Sequence, residues 1–130
     1  MDGARKIILF EKVKYIPNEN APSECNNAFL MATQDAFLVY VEGFIKVKRT
    51  DGDERRRHTW VFDPEINIAY EVKQLSISDL TLGEMIPGDR VAYYGYKIVE
   101  EEMAAGLRNR FVLSDDDLLP IYKMLTEEKT

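Results

Sequence analysis

The side chains able to carry out chemistry are few and scattered. His58 is the only histidine and Cys25 the only cysteine, and nothing in their spacing brings a base to a nucleophile, as covalent or general-base catalysis requires. A non-catalytic protein is therefore expected. The runs Glu100 to Glu102 and Asp115 to Asp117 are where carboxylates could gather around a divalent cation. Asp115 to Asp117 lacks the spaced oxygens and the glycine of a calcium loop, so starting a helix is its expected role. There is no glycine-rich phosphate loop and no zinc-ligand spacing, so neither cofactor nor metal is expected.

Basic and aromatic residues point to binding. Residues 44–58 (FIKVKRTDGDERRRH) hold six basic and three acidic side chains, a positive island in a chain with 17 Lys+Arg, 23 Asp+Glu and net charge −6. Clustered cations recruit phosphates, although an arginine run at a hairpin tip also serves simply as solvated surface. Lys46, Lys48, Arg49, Arg55, Arg56 and Arg57 are thus candidate contacts to single-stranded nucleic acid. Tyr40 and Phe44 share a predicted strand face with Lys46 and Lys48, and exposed rings there would stack on bases at about 1–3 kcal/mol each. Trp60 and Phe62 share the next strand's face with His58. They are expected to be mostly buried, because large rings fill the interior of small barrels. Tyr93, Tyr94 and Tyr96 straddle both faces of a later strand, so at least one ring should face outward.

The elements that position these residues follow from periodicity. Phe37, Val39, Val41, Ile45 and Val47 alternate along a long strand over 37–47 with one buried face, and Gly43 at its middle signals a bulge or sharp bend. Asp51-Gly52 marks a hairpin, with a return strand over 56–62 that stops at Asp63-Pro64. A third strand is predicted over 66–72 and a less regular connection over 76–86. Pro87-Gly88-Asp89 then introduces a fourth strand over 90–99. Glu100 to Gly106 reads as a turn, and 108–113 as a fifth strand. A helix over 115–127 closes the chain, capped by Ser114 or an aspartate. Pro120 suits only its first turn. Leu118, Ile121, Tyr122 and Leu125 share one helix face, with Leu119 and Met124 extending the apolar area. Residues 1–34 read as an N-terminal strand followed by a long loop around Pro17 to Glu24.

At 130 residues, 45% hydrophobic and 31% charged, the chain has the composition of one soluble domain spanning 1–130, neither disordered nor membrane-spanning. A single cysteine and the lack of a signal-peptide pattern at the N-terminus point to an intracellular protein, nuclear or cytoplasmic.

This order of elements resembles an OB fold, a five-stranded Greek-key barrel, here over 35–114, with an extra N-terminal strand and a C-terminal helix. Within OB folds it is similar to the small subunits of multi-OB complexes: the smallest subunit of replication protein A, its counterpart in the CST telomere complex, and the small OB subunit of the RecQ-associated dissolution complex. The segments that carry the resemblance are VYVEGFIKVKR (39–49), IPGDRVAYYGYKI (86–98) and VLSDDDLLPIYKML (112–125). The resemblance implies a non-catalytic subunit whose C-terminal helix packs against a larger OB-containing partner in DNA replication, repair or telomere maintenance. That role would fall on Leu118, Leu119, Ile121, Tyr122, Met124 and Leu125, with weak single-stranded DNA contact as an addition. Two other classes are a stand-alone nucleic-acid-binding module and a viral or regulatory barrel that blocks another protein. The acidic balance favours the subunit, because free-standing nucleic-acid binders usually carry net positive charge.

Overall fold

The computed structural model describes residues 5–16, 27–73, 81–104 and 111–127. The alternation around Asp51-Gly52 produces two long strands, β3 (Val39–Val47) and β4 (Glu54–Asp63), preceded in the chain by β1 (Ile8–Phe10) and β2 (Val13–Tyr15). β5 (Ile68–Glu71) and β6 (Val91–Ile98) follow. Helix α1 (Asn27–Gln34) lies between β2 and β3, and α2 (Glu100–Ala104) and α3 (Asp115–Glu127) come after β6. Gly52 takes a φ of 129° in the β3–β4 loop, a conformation costly for any residue with a Cβ.

The strands form one sheet in the order β1-β6-β3-β4-β5-β2. β1 and β2 stand at opposite ends of that order, yet only Glu11 and Lys12 separate them. In a flat sheet the two edges would lie about 24 Å apart, whereas the chain from Phe10 to Val13 reaches at most about 11 Å. The sheet must therefore curl until its edges approach, which makes the fold mostly β and barrel-like. β1 pairs antiparallel with β6 (Ile8 opposite Gly95), and β2 pairs parallel with β5 (Val13 opposite Ala69). The other side of β2 receives the segment before β6, through Ile86 N–H to Val13 O at 2.7 Å and Tyr15 N–H to Glu84 O at 3.0 Å.

Two cores result, one on each side of β3. The inner core gathers Phe10, Val41, Ile45, Trp60, Val91 and Tyr93. The outer one joins Tyr40, Val61, Tyr96 and Ile98 on the sheet to Phe29 of α1 and to Leu118, Ile121 and Leu125 of α3. The expectation of a single buried face on β3 therefore fails: helices cover its second face, so Tyr40 and Glu42 are as buried as Val41.

Gly43 marks no bulge, for the β3 register runs unbroken against both β4 and β6. It permits close approach instead. A Cβ there would lie 2.0 Å from the Tyr94 carbonyl oxygen, and one on Gly95 would meet Val41 and Trp60 at 2.8 and 2.9 Å.

Other boundaries shift for local reasons. Phe37 precedes β3 in a turn and is 75% exposed. The acidic run at Glu100 is helix α2 rather than a turn, consistent with anions favouring a helix start. Helix α1 falls where a loop was expected. Of the expected fifth strand, 108–110 lie outside the described residues and Phe111–Leu113 belong to no strand. Ser114 caps α3 with a reciprocal pair, Asp117 N–H to Ser114 Oγ and Ser114 N–H to Asp117 Oδ2. Pro120 sits beyond the first turn. The carbonyl four residues earlier, on Asp116, faces a proline nitrogen that has no proton to donate, and Asp116 is exposed to water.

Candidate functional site

Cross-strand partners share a face, so the register sorts the basic and aromatic side chains. Phe44 stands opposite Arg57 and Tyr94, and Lys46 opposite Arg55 and Ala92. Phe44 and Tyr94 pack against the outer core, which places Lys46 and Arg55 on the outward face at the hairpin end. Arg56 stands opposite Ile45, itself opposite Tyr93, on the inward side. The arginine run therefore divides between the two sides of the sheet.

Pairing divides it further. The Arg57 guanidinium lies 2.7 Å from Asp115 and 3.5 Å from Glu42, donates to the Leu113 carbonyl, and stacks 3.8 Å from the centre of the Phe111 ring. Expected as a phosphate contact, it instead fastens the chain just ahead of α3. Arg49 and Arg56 pair with Glu54 at 2.7 and 3.7 Å, and Lys46 with Asp53 at 3.7 Å. The Arg49 guanidinium holds the partly exposed Glu54 carboxyl below its usual value. Lys48 and Arg55 have no carboxylate partner among the described residues.

Tyr40 cannot serve as a stacking platform, because its ring is fully buried against Phe29 and its hydroxyl donates to Glu42 at 2.5 Å. Phe44 is half-buried and packs at 5.6 Å on Tyr122, which is 44% exposed. Trp60 is fully buried, as expected for a barrel interior.

The helix stripe expected to meet a partner is this protein's own core. Leu118, Ile121 and Leu125 are 1% exposed or less, and Met124 packs against them in part. The sheet's curl leaves the outer faces of β3 and β6 needing cover, and α3 supplies it. Only Leu119 and Tyr122 point outward, both a little over 40% exposed.

Sequence patterns did not single out the two fully buried carboxylates. Glu42 receives the backbone N–H groups of Val112 and Leu113 at 2.6 and 2.8 Å as well as the Tyr40 hydroxyl. Glu71, inside the barrel, meets His58 Nε2 at 2.7 Å, the Tyr93 hydroxyl at 2.8 Å and the Lys73 N–H at 3.0 Å. Burial, then the Glu71 charge, pushes the Tyr93 phenol well above its usual range. A charged residue inside an apolar strand pattern was the available signal, since a buried carboxylate must find donors. Among the described residues no three His, Cys, Asp or Glu side chains converge on a metal-sized point, and no helix is long and apolar enough to cross a membrane.

The fold and its surface thus define a mostly β, barrel-like protein with a small aromatic and basic patch beside its hairpin. Compared with known proteins, the chain matches no family model, no curated protein and no solved structure.

Proposed function

We propose that this chain is a non-catalytic OB-type barrel that binds single-stranded nucleic acid weakly at its hairpin end, and that it acts inside the cell as a subunit of a larger DNA replication, repair or telomere assembly. In this reading the N-terminal segment 8–15 stands in for the fifth strand expected over 108–113. Its two strands pair with β6 and β5 and draw the two ends of the curled sheet toward each other.

The observation that carries the binding reading is the outward patch of Lys46, Arg55, Phe44 and Tyr122, with Lys48 beside it and Arg55 and Lys48 without a carboxylate partner among the described residues. Rings and cations side by side are what sequence-tolerant single-strand binding uses. Fluorescence anisotropy with a labelled oligothymidylate across salt concentrations tests it. Lys48→Ala with Arg55→Ala should weaken binding and flatten the salt slope by about 0.7 per lost contact. Arg57→Ala should leave the slope unchanged. Identical curves for wild type and the double variant would overturn the reading.

A protein partner on the outer side of α3 is the second reading, favoured by the exposure of Leu119 and Tyr122. Pull-down from the native source with wild type and a Leu119→Glu variant, which leaves the nucleic-acid patch intact, separates the two. Loss of an OB-containing chain supports partner docking, and recovery of nucleic acid alone supports the first reading.

A further inference from the structure

At the end of the sheet away from the hairpin, α1, the turn before β3 and the turn between β4 and β5 enclose a groove of about 470 Å3. This lies within the roughly 300–1,000 Å3 of typical ligand clefts. Its apolar lining comes from Ile16, Met31, Leu38 and Tyr70, with Phe37 at the lip. Phe37 is the most exposed large hydrophobic residue among those described, at 75%.

That exposure is held in place. The Phe37 N–H donates to Asp35 Oδ1 at 3.0 Å and the Leu38 N–H to the Asp35 carbonyl at 3.1 Å, so a compact Asx turn presents the ring to solvent. The facing turn is built the same way, with Glu65 N–H to Asp63 Oδ1 at 3.0 Å and Asn67 in the left-handed region at φ 59°. Walls whose turns are already hydrogen-bonded need less ordering on binding.

Its rim carries one sign of charge. Asp35, Asp63 and Glu65 all line the groove, and none has a cationic partner among the described residues. A second groove of about 1130 Å3, between α1 and α2, has one cation and one anion in its lining, Lys97 and Glu100, and so has no such preference.

We propose that the groove beside Phe37 docks a basic amphipathic peptide segment of a partner protein, whose apolar side chains enter the groove while its Lys or Arg side chains meet Asp35, Asp63 and Glu65. The hairpin of a second copy fits poorly, because residues 48–53 (KRTDGD) contain no apolar side chain to fill the groove and bring two further aspartates. The site is separate from the nucleic-acid patch, since Leu38 at the groove and Phe44 in the patch are six residues apart along the extended chain, about 20 Å.

Anisotropy titrations with a labelled peptide alternating Lys and Leu test the proposal, with peptides alternating Lys and Gly, or Glu and Leu, for comparison. The Lys/Leu peptide should bind best. Phe37→Ser, and separately Asp63→Asn with Glu65→Gln, should each weaken it by at least about tenfold. Asparagine preserves the Asx turn while removing the charge, so the second variant keeps the test informative should the first perturb folding. Equal binding of the Lys/Gly peptide, or an affinity unchanged in both variants, would overturn the proposal. So would self-association of the wild type in sedimentation that disappears in Phe37→Ser, because the occupant would then be a second copy. Oligothymidylate binding by Phe37→Ser should match the wild type.

Discussion

The Glu42 carboxylate, with no exposed surface, lies 3.5 Å from the Arg57 guanidinium of the neighbouring strand, and between them they hold the chain at 112–115. Glu42 takes the Val112 and Leu113 N–H groups, and Arg57 takes the Leu113 carbonyl and the Asp115 side chain. The pair thus sets where α3 begins and on which face of the sheet it lands.

Glu42→Ala should therefore destabilise the fold by about 3 kcal/mol, since it leaves the Val112 and Leu113 N–H groups without their acceptor. Arg57→Ala should cost less, because Glu42 keeps two backbone donors and a hydroxyl. Urea unfolding followed by circular dichroism measures both.

Ile121→Ala should lose about 2–5 kcal/mol, the usual cost of emptying a fully buried aliphatic site. A charge at the same position should unfold the chain. Leu119→Ala, on the exposed side of α3, should stay within about 0.5 kcal/mol of wild type in the same urea experiment.

Gly43→Ala should prevent folding or cost more than about 4 kcal/mol, because the new methyl would stand 2.0 Å from a backbone oxygen that the β3–β6 ladder holds fixed. Gly52→Ala should cost about 1–3 kcal/mol, from its φ of 129° alone, for its neighbourhood is open. Thermal unfolding of the two variants distinguishes close packing from backbone freedom.

The α3 cap gives stability an acid limb. The Ser114 N–H, and after it the Ser114 hydroxyl, holds the Asp117 carboxyl below its ordinary value. A depressed folded pKa contributes stability above the unfolded value of about 3.9 and loses it as pH falls through the folded one. Urea midpoints should therefore fall less steeply with acid in Asp117→Asn than in wild type. Ser114→Ala should cost about 1 kcal/mol at neutral pH.

Tyr93 gives the opposite limb. Its phenol is held well above the usual range, first by burial and then by Glu71. Its contribution is complete below the unfolded value of about 10 and is lost as pH rises past it. Tyr93→Phe should lower stability near neutrality by removing a donor from Glu71, and should also flatten the decline above about pH 10. Urea midpoints measured on both sides of that pH check the two effects.

Local pattern was enough to read the long hairpin, the strand after Pro87, the span of α3 at 115–127 and the burial of Trp60. Each rests on short-range chemistry: two-residue alternation, an Asp-Gly turn, a serine cap, one large ring. The fate of the second face of β3 was not a local property. Tyr40, Glu42 and Phe44 alternate with apolar neighbours whether water or a helix lies over them, and only the packing of α1 and α3 buried Tyr40 and turned the stripe of Leu118, Ile121 and Leu125 inward. The division of Arg55, Arg56 and Arg57 between two sides of the sheet follows from strand geometry, but Arg57 became a structural clamp because Glu42 and Asp115, distant in sequence, converge on it. The curl of the sheet was likewise decided in three dimensions. Segment 8–15 joins partners in β5 and β6 that are more than fifty residues further along the chain, and no local periodicity records which edge a short strand will meet.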